Sequence, residues 1–346
     1  MAPARNNVVD DSPATTLTIL GCGTLGSAIL FGLLASSVEN NPAKSPYKKG
    51  IPNGTNGHGH ASSSSREEGK DSELQKPTHF IACVRTAESA SRLQKELSSR
   101  FPHQVPVTVL HGENVRAVQS ASTILLGCQP QDLTTCLSPP ALTAALHGKL
   151  LISILAGVTI PQIESLLYND HNHHPTKPNG TAPPKPTKNP TTIIRAMPNT
   201  ASSIHLSTTI LSSPPSTPLP HLTLTTHIFS PLGTVTSSPP SSNFDAYTAL
   251  CGSTPAFFAL ILEALVDGSI SLGLSKKEAL RLAAETMRGC AELVLQGEGT
   301  ECVREKVCTP GGSTIQGLLV LERGAVRGVV ADALARAAGA AGGLGQ

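Results

Sequence analysis

Two segments of the 346-residue chain carry residue types whose spacing implies chemistry. The first is Gly21-Cys22-Gly23-Thr24-Leu25-Gly26, directly after the apolar run at 15–20. In that spacing Gly21 permits a tight turn, Gly23 lets the backbone approach a pyrophosphate, and Gly26 lets a helix pack close to a strand. A helix opening there aims free N–H groups and its positive dipole end at the phosphates. The second is Thr309-Pro310-Gly311-Gly312-Ser313-Thr314, a Gly-Gly turn feeding a helix. Its backbone N–H groups could hold a small anion such as a carboxylate, and Thr314 could point its hydroxyl into the same pocket. The same residues also read as an ordinary helix start.

Between these segments, Cys83-Val84-Arg85-Thr86 closes a second apolar run, with no acid until Glu88. An Asp or Glu at that place would bind the ribose 2′-hydroxyl of NAD. An Arg and a hydroxyl instead suit a 2′-phosphate and favour NADP(H). The alternative is that Arg85 is a solvated loop charge.

Elements must hold these residues in place. Residues 15–20 predict a short buried strand and 27–37 an apolar helix. Further strands are expected at 78–84, 105–110, 123–128, 149–155 and Thr192–Met197, with candidates at 208–211 and 225–229. Helices at Ala87–Arg100, 114–121, 133–145 and 160–167 alternate with them. Such alternation predicts an α/β fold, a doubly wound parallel sheet with helices on both faces. From Asp245 onward the pattern is helical. It runs over 245–268 (interrupted at Gly252 and Pro255), Lys276–Leu295 with Ser275 as N-cap, 300–307, Ser313–Arg323 and 325–338. This half is mostly apolar helix, which predicts burial against a second subunit, at least a homodimer through the C-terminal helices.

The domain reading has three parts. Residues 1–14 form a disordered N-terminus. Residues 15–240 form a nucleotide-binding domain with low-complexity insertions at 39–77 and 169–190, and 241–340 form an all-α substrate and dimerisation domain. His171, His173 and His174 fall in the second insertion without a Cys or carboxylate framework, so no metal site is expected. The chain has 26 Lys+Arg against 24 Asp+Glu, and aromatic residues make up only 3%. Without a basic cluster or stacking platform, no nucleic-acid partner is expected. Residues 15–38 are uncharged and long enough to cross a bilayer, but Gly21, Gly23, Gly26 and Gly32 fit a strand, turn and helix better, so no membrane span is expected. Eight cysteines form no CxxC pair and several sit in apolar runs, which predicts reduced, buried thiols in a cytoplasmic protein.

Taken in order, GCGTLGSAI, LLGCQP, LISILAGVTIPQIESLL, IIRAMPNT, DAYTALCGSTPAFF and TPGGSTIQGLLVLE make the chain resemble the pyrroline-5-carboxylate reductase family. The resemblance covers about 17–338 outside the two insertions. It implies an N-terminal Rossmann domain and C-terminal helices interlocked in a homodimer, often assembled into larger rings. It implies an oxidoreductase of the CH–NH class that reduces a small imine acid, (S)-1-pyrroline-5-carboxylate, to L-proline with NADPH or NADH. Carried over by position, Leu20, Gly21, Cys22, Gly23, Thr24 and Leu25 would hold the pyrophosphate, with Gly26 closing the turn. Arg85 and Thr86 would sit by the 2′-phosphate. Asn114, Gly127, Cys128, Gln129 and Pro130 would line the adenosine and ribose side, and Ala156 and Gly157 would face the nicotinamide. Thr309, Gly311, Gly312 and Ser313 would bind the substrate, and Thr314 would be the catalytic hydrogen-bonding residue. The matched motifs offer no evident His, Asp or Glu acid, so the imine would bind protonated, or be protonated through water, with Thr314 orienting its nitrogen.

The chain departs from the family's usual pattern at three places. Gln129 replaces the usual Lys, Ser241 replaces an acid, and Cys251-Gly252-Ser253-Thr254-Pro255-Ala256-Phe257 replaces SGSGPAY. One methylene is worth only about 1–3 kcal/mol of discrimination. Two alternatives therefore stand beside proline formation. One is a reductase of a related ring, such as piperideine-6-carboxylate giving pipecolate. The other is a non-catalytic dinucleotide-binding regulatory protein.

Overall fold

Every residue of β1 (Thr16–Leu20) is buried, because the strand lies inside a sheet covered on both faces. The computed structural model describes residues 16–38, 77–103, 105–168, 190–238 and 243–345. The expected disordered N-terminus, nearly all of both low-complexity insertions, including the second one's three histidines, and Ser241 lie outside them. The sheet adds β2 (His79–Val84), β3 (Val107–His111), β4 (Thr123–Leu126), β5 (Leu150–Ser153), β6 (Thr192–Met197), β7 (Ser207–Ser212) and β8 (Gly233–Ser237). Strand order is β3-β2-β1-β4-β5-β6-β7-β8. The order reverses between β1 and β4, which opens a crevice at their carboxyl ends.

Seven helices cover the two faces: α1 (Thr24–Val38), α2 (Ala87–Arg100), α3 (Asn114–Gln119), α4 (Leu133–Leu137), α5 (Pro140–Leu146), α6 (Ile160–Tyr168) and α7 (Leu219–Phe229). On one face Leu30, Leu34, Leu97 and Phe229 from α1, α2 and α7 pack with Leu17, Ile19 and Ile152 of the sheet. On the other, Val118, Leu137, Leu142 and Ile163 from α3 to α6 pack with Leu20, Ile124 and Leu151. The uncharged N-terminal run is thus a strand, a turn and a helix.

The structure corrects several sequence expectations. The candidate strand at 225–229 is the end of α7. Its β-branched residues suggested a strand, but Thr225 and Thr226 donate their hydroxyls to the carbonyls of His221 and Leu222. Leu224 and Ile228 are buried at helical spacing. The expected helix at 133–145 is two helices, split at Ser138-Pro139-Pro140, where proline removes N–H donors and restricts the preceding residue. The sheet is parallel except that β7 runs antiparallel to β6, since the short connection between them holds no crossover helix. β8 was not anticipated. All eight cysteines are free, but Cys290 and Cys302 are exposed rather than buried.

The C-terminal half contains α8 (Phe244–Tyr247), a π-helical turn at Thr248–Ser253, α9 (Thr254–Ser271), α10 (Lys276–Leu295), α11 (Thr300–Lys306), α12 (Ser313–Arg323) and α13 (Val326–Gly343). Ser275 caps α10, accepting from Glu278 N–H. Contacts divide the described chain into one unit of 16–38, 77–252 and 338–345 and another of 253–337. In the second unit Val266 and Ala279 are the only buried apolar side chains among the described residues. Leu260, Val320 and Val329 are each more than 60% exposed. Phe244–Ser271 is long and apolar enough to cross a membrane. An apolar surface of this extent on packed helices marks an interaction face, for another protein chain or a membrane.

Candidate active site

The three glycines after β1 act for three different steric reasons. Gly21 has φ +87, and a Cβ there would lie 2.5 Å from Cys128 N and 2.7 Å from its Cα, both backbone atoms. A Cβ on Gly26 would meet the Gly21 carbonyl at 3.0 Å and Ile19 at 3.3 Å, so α1 rests directly on β1. Gly23 has open space around it, which is what an approaching ligand requires. The turn is pinned to both neighbouring strands. The N–H groups of Gly21 and Cys22 donate to the Cys83 carbonyl at 3.1 and 2.8 Å, and Gly127 N–H donates to the Leu20 carbonyl at 2.7 Å. Gly23 and Thr24 are exposed where α1 begins. The first N–H groups of such a helix have no partner within it.

Two thiols flank this turn. Burial pushes Cys22 up to about 11 and Cys83 up to about 12. Both therefore stay neutral near pH 7 and add no charge against a phosphate. Cys128, just beyond β4, donates to Cys136; that hydrogen bond pushes the pKa of Cys128 up and that of Cys136 down.

At the end of β2, Arg85 Nη1 lies 3.2 Å from Asp132 Oδ2. Thr86 is the N-cap of α2: its Oγ1 accepts Ser89 N–H at 3.1 Å and donates to Ser89 Oγ at 3.0 Å. The threonine is thus a cap first, and Ser89 brings a second hydroxyl to the same spot. Asn114 opens α3, half-buried. Beyond β4, Gln129 Oε1 accepts from Gln131 Nε2 at 2.6 Å. Leu20, Arg85, Thr86, Asn114 and Gly127 to Pro130 therefore lie at the carboxyl ends of β1, β2, β3 and β4.

Ala156 and Gly157 follow β5. Gly157 has φ +73, and the last turn of α13 leaves no room for a Cβ on it. Ala341 is buried and Gln162 Nε2 donates to the Gly345 carbonyl. On β6, Arg195 is 8% exposed. Its guanidinium stacks 3.9 Å from the Phe244 ring centroid, with Nε and Nη2 lacking hydrogen-bond partners among the described residues. Burial lowers its ionisation, opposed by Asp245. A charged residue in the apolar run TIIRAM was a readable signal for this site. Ser89 and Asp132 carried none.

The second segment lies in the helical unit. Pro310 and Gly311 occupy the centre of a turn closed by Gly312 N–H donating to the Thr309 carbonyl at 3.0 Å. Gly311 has φ +71, which that position of a type II turn demands. Gly312 is the N-cap of α12 and gives no side-chain cap. The first-turn amides at Ser313 and Thr314 thus keep their capacity for an external acceptor. Thr314 is half-buried in that turn.

Sequence comparison decides the family. A pyrroline-5-carboxylate reductase from Lophium arboricola is 44% identical over 334 residues, covering 96% of this chain and 93% of the relative. The chain belongs to the pyrroline-5-carboxylate reductase family. Its relative in Neurospora crassa, with the same name, is 40% identical over 345 residues, covering 95% and 92%. The family described as pyrroline-5-carboxylate reductase dimerisation matches 241–344, and one described as NADP oxidoreductase, coenzyme F420-dependent, matches 51–157. Among solved structures, a Plasmodium falciparum pyrroline carboxylate reductase with NADP bound superposes with TM-score 0.69 at 19% identity, covering 97% of this chain and all of that one. The shared fold is a Rossmann-like sheet followed by a helical dimerisation domain.

As a member of the pyrroline-5-carboxylate reductase family, the chain carries a dimerisation region on its exposed apolar helices, which accounts for the poor core of the 253–337 unit. Homo-oligomerisation completes that core. Leu265, 51% exposed on α9, tests this. Leu265→Glu should weaken association at least tenfold, read as a lower mass by light scattering on a size-exclusion column. An unchanged mass down to nanomolar protein counts against the face. The family's altered segment, Cys251 to Phe257, begins in the π-helical turn. There Asn199 Nδ2 donates to the Cys251 carbonyl at 3.0 Å, tying the loop after β6 to it.

Proposed function

We propose that this chain is an NADPH-dependent reductase of (S)-1-pyrroline-5-carboxylate, forming L-proline in the cytoplasm as a homodimer or a larger ring of dimers. The observation that carries the nucleotide half is the division of labour among Gly21, Gly23 and Gly26, a cradle open only at Gly23. Residues Leu20 to Gly26 would hold the pyrophosphate, and the α1 amides offset its charge. Arg85, Thr86 and Ser89 would take the 2′-phosphate, and Asn114 with Gly127 to Pro130 the ribose side. Ala156 and Gly157 would face the nicotinamide, which supplies the hydride when bound.

The remaining work falls to residues of the helical unit. Amides of the Thr309–Gly312 turn and of Ser313 would grip the substrate carboxylate, so that binding energy becomes orientation. The Thr314 hydroxyl would accept from the protonated imine nitrogen and hold the ring carbon in place. Relatives named pyrroline-5-carboxylate reductase support this reading, and so do eight free cysteines for a reducing compartment.

The test is oxidation of NADPH by pyrroline-5-carboxylate with L-proline identified chromatographically, repeated with NADH and with piperideine-6-carboxylate. The five-membered ring should win by at least tenfold in kcat/KM. Binding of NADPH without oxidation by either imine would leave a regulatory nucleotide-binding protein.

A further inference from the structure

The carboxylate missing from the end of β2 arrives from another loop. Arg85 and Thr86 follow β2 directly. Asp132 ends the short 3-10 turn Pro130–Asp132 after β4 and accepts from Arg85 Nη1 at 3.2 Å. β2 and β4 both pair with β1, so this ion pair joins the two sides of the crevice that the glycine turn enters. The acid is the anchored partner. Asp132 N–H donates to the Gln129 carbonyl at 2.9 Å, and Leu133 beside it is buried. The Asp132 side chain is 40% exposed against 83% for Arg85.

The two nicotinamide dinucleotides differ only at the ribose 2′ position. A phosphate there needs cationic donors; a hydroxyl there needs an acceptor, usually a carboxylate. Arg85 and Asp132 meet these needs separately. We propose that Asp132 is a cofactor-specificity residue, which narrows the preference for the 2′-phosphorylated dinucleotide. Its carboxylate competes with the phosphate for Arg85, repels the phosphate, and accepts from a free 2′-hydroxyl. An exposed pair of this kind is weak enough for a phosphate to displace. The inference rests on the ribose placement under Proposed function, and it makes the enzyme competent with both dinucleotides.

The 2′ position can be probed without the reaction. The purified full chain is titrated calorimetrically with adenosine 2′,5′-bisphosphate and with AMP, beside kcat/KM for NADPH and NADH. Asp132→Asn should tighten the bisphosphate about fivefold, weaken AMP about twofold, and raise the NADPH-to-NADH ratio about tenfold. Arg85→Gln should weaken the bisphosphate at least tenfold and leave AMP unchanged. If Asp132→Asn binds both nucleotides as the parent does while Arg85→Gln loses the bisphosphate, Asp132 has no part in selection and the ribose placement stands. If neither variant changes either affinity, the placement falls together with the inference. Both titrations read independently of whether pyrroline-5-carboxylate is the substrate.

Discussion

Gly21→Ala should abolish NADPH binding and destabilise the fold, whereas Gly23→Ala should weaken binding alone. At Gly21 the backbone holds φ +87, where a non-glycine residue costs about 1–3 kcal/mol. The added Cβ would also press on Cys128 N and Cα at 2.5 and 2.7 Å. Those are backbone atoms, so no rotamer relieves the clash. β1 and β4 must part, which strains the Gly127–Leu20 and Gly21–Cys83 hydrogen bonds that frame the turn. A loss of about 3 kcal/mol corresponds to a midpoint lower by roughly 4–6 °C for a chain of this size. At Gly23 a methyl meets nothing among the described residues. Its melting temperature should stay within about a degree of the parent. It would, however, occupy the space a pyrophosphate needs, and affinity should fall about a hundredfold. Thermal melts followed by circular dichroism and calorimetric titration with NADPH read the two effects separately. Parental affinity in Gly23→Ala would mean that the dinucleotide does not use this turn.

The same glycines show how much was legible in the chain. The order of strand, glycine turn and helix required only a buried run, a spacing and an apolar sequel; β1 and α2 fall where such signals place them, and α1 opens three residues earlier than expected, at Thr24. Helix α2 starts and ends as expected because Thr86 caps it and Leu93 and Leu97 carry its buried stripe. Helix α7 was misread because threonine hydroxyls satisfied by the preceding helical turn look, in sequence, like strand residues. The Asp132 contact with Arg85 was invisible for another reason. It joins residues far apart in the chain, and only the strand order β2-β1-β4 makes them neighbours. The rule that looks for an acid at the end of β2 cannot find one delivered by β4.

Thr314→Ala should lower kcat by about thirty- to a hundredfold, the scale of one well-placed hydrogen bond to a charged group, with NADPH affinity unchanged. Alanine is a better helix former than threonine, and Thr314 lies in the first turn of α12, where it caps nothing. Stability should therefore hold or rise slightly, which separates chemistry from folding. Thr314→Ser restores a hydroxyl without the methyl group and should recover most of the activity. Thr314→Val keeps the shape without the acceptor and should behave like alanine. With NADPH deuterated at the transferred position, the slow variants should show a larger isotope effect on kcat, because a poorly oriented imine makes hydride transfer more fully rate-limiting. The turn before it offers the contrasting control. Gly311 holds φ +71, so Gly311→Ala should distort the amides that grip the carboxylate and raise KM for the imine more than it lowers kcat. A valine at 314 that turns over at the parental rate would remove the hydroxyl from the reaction and leave orientation of the imine to the Gly311–Gly312 amides alone.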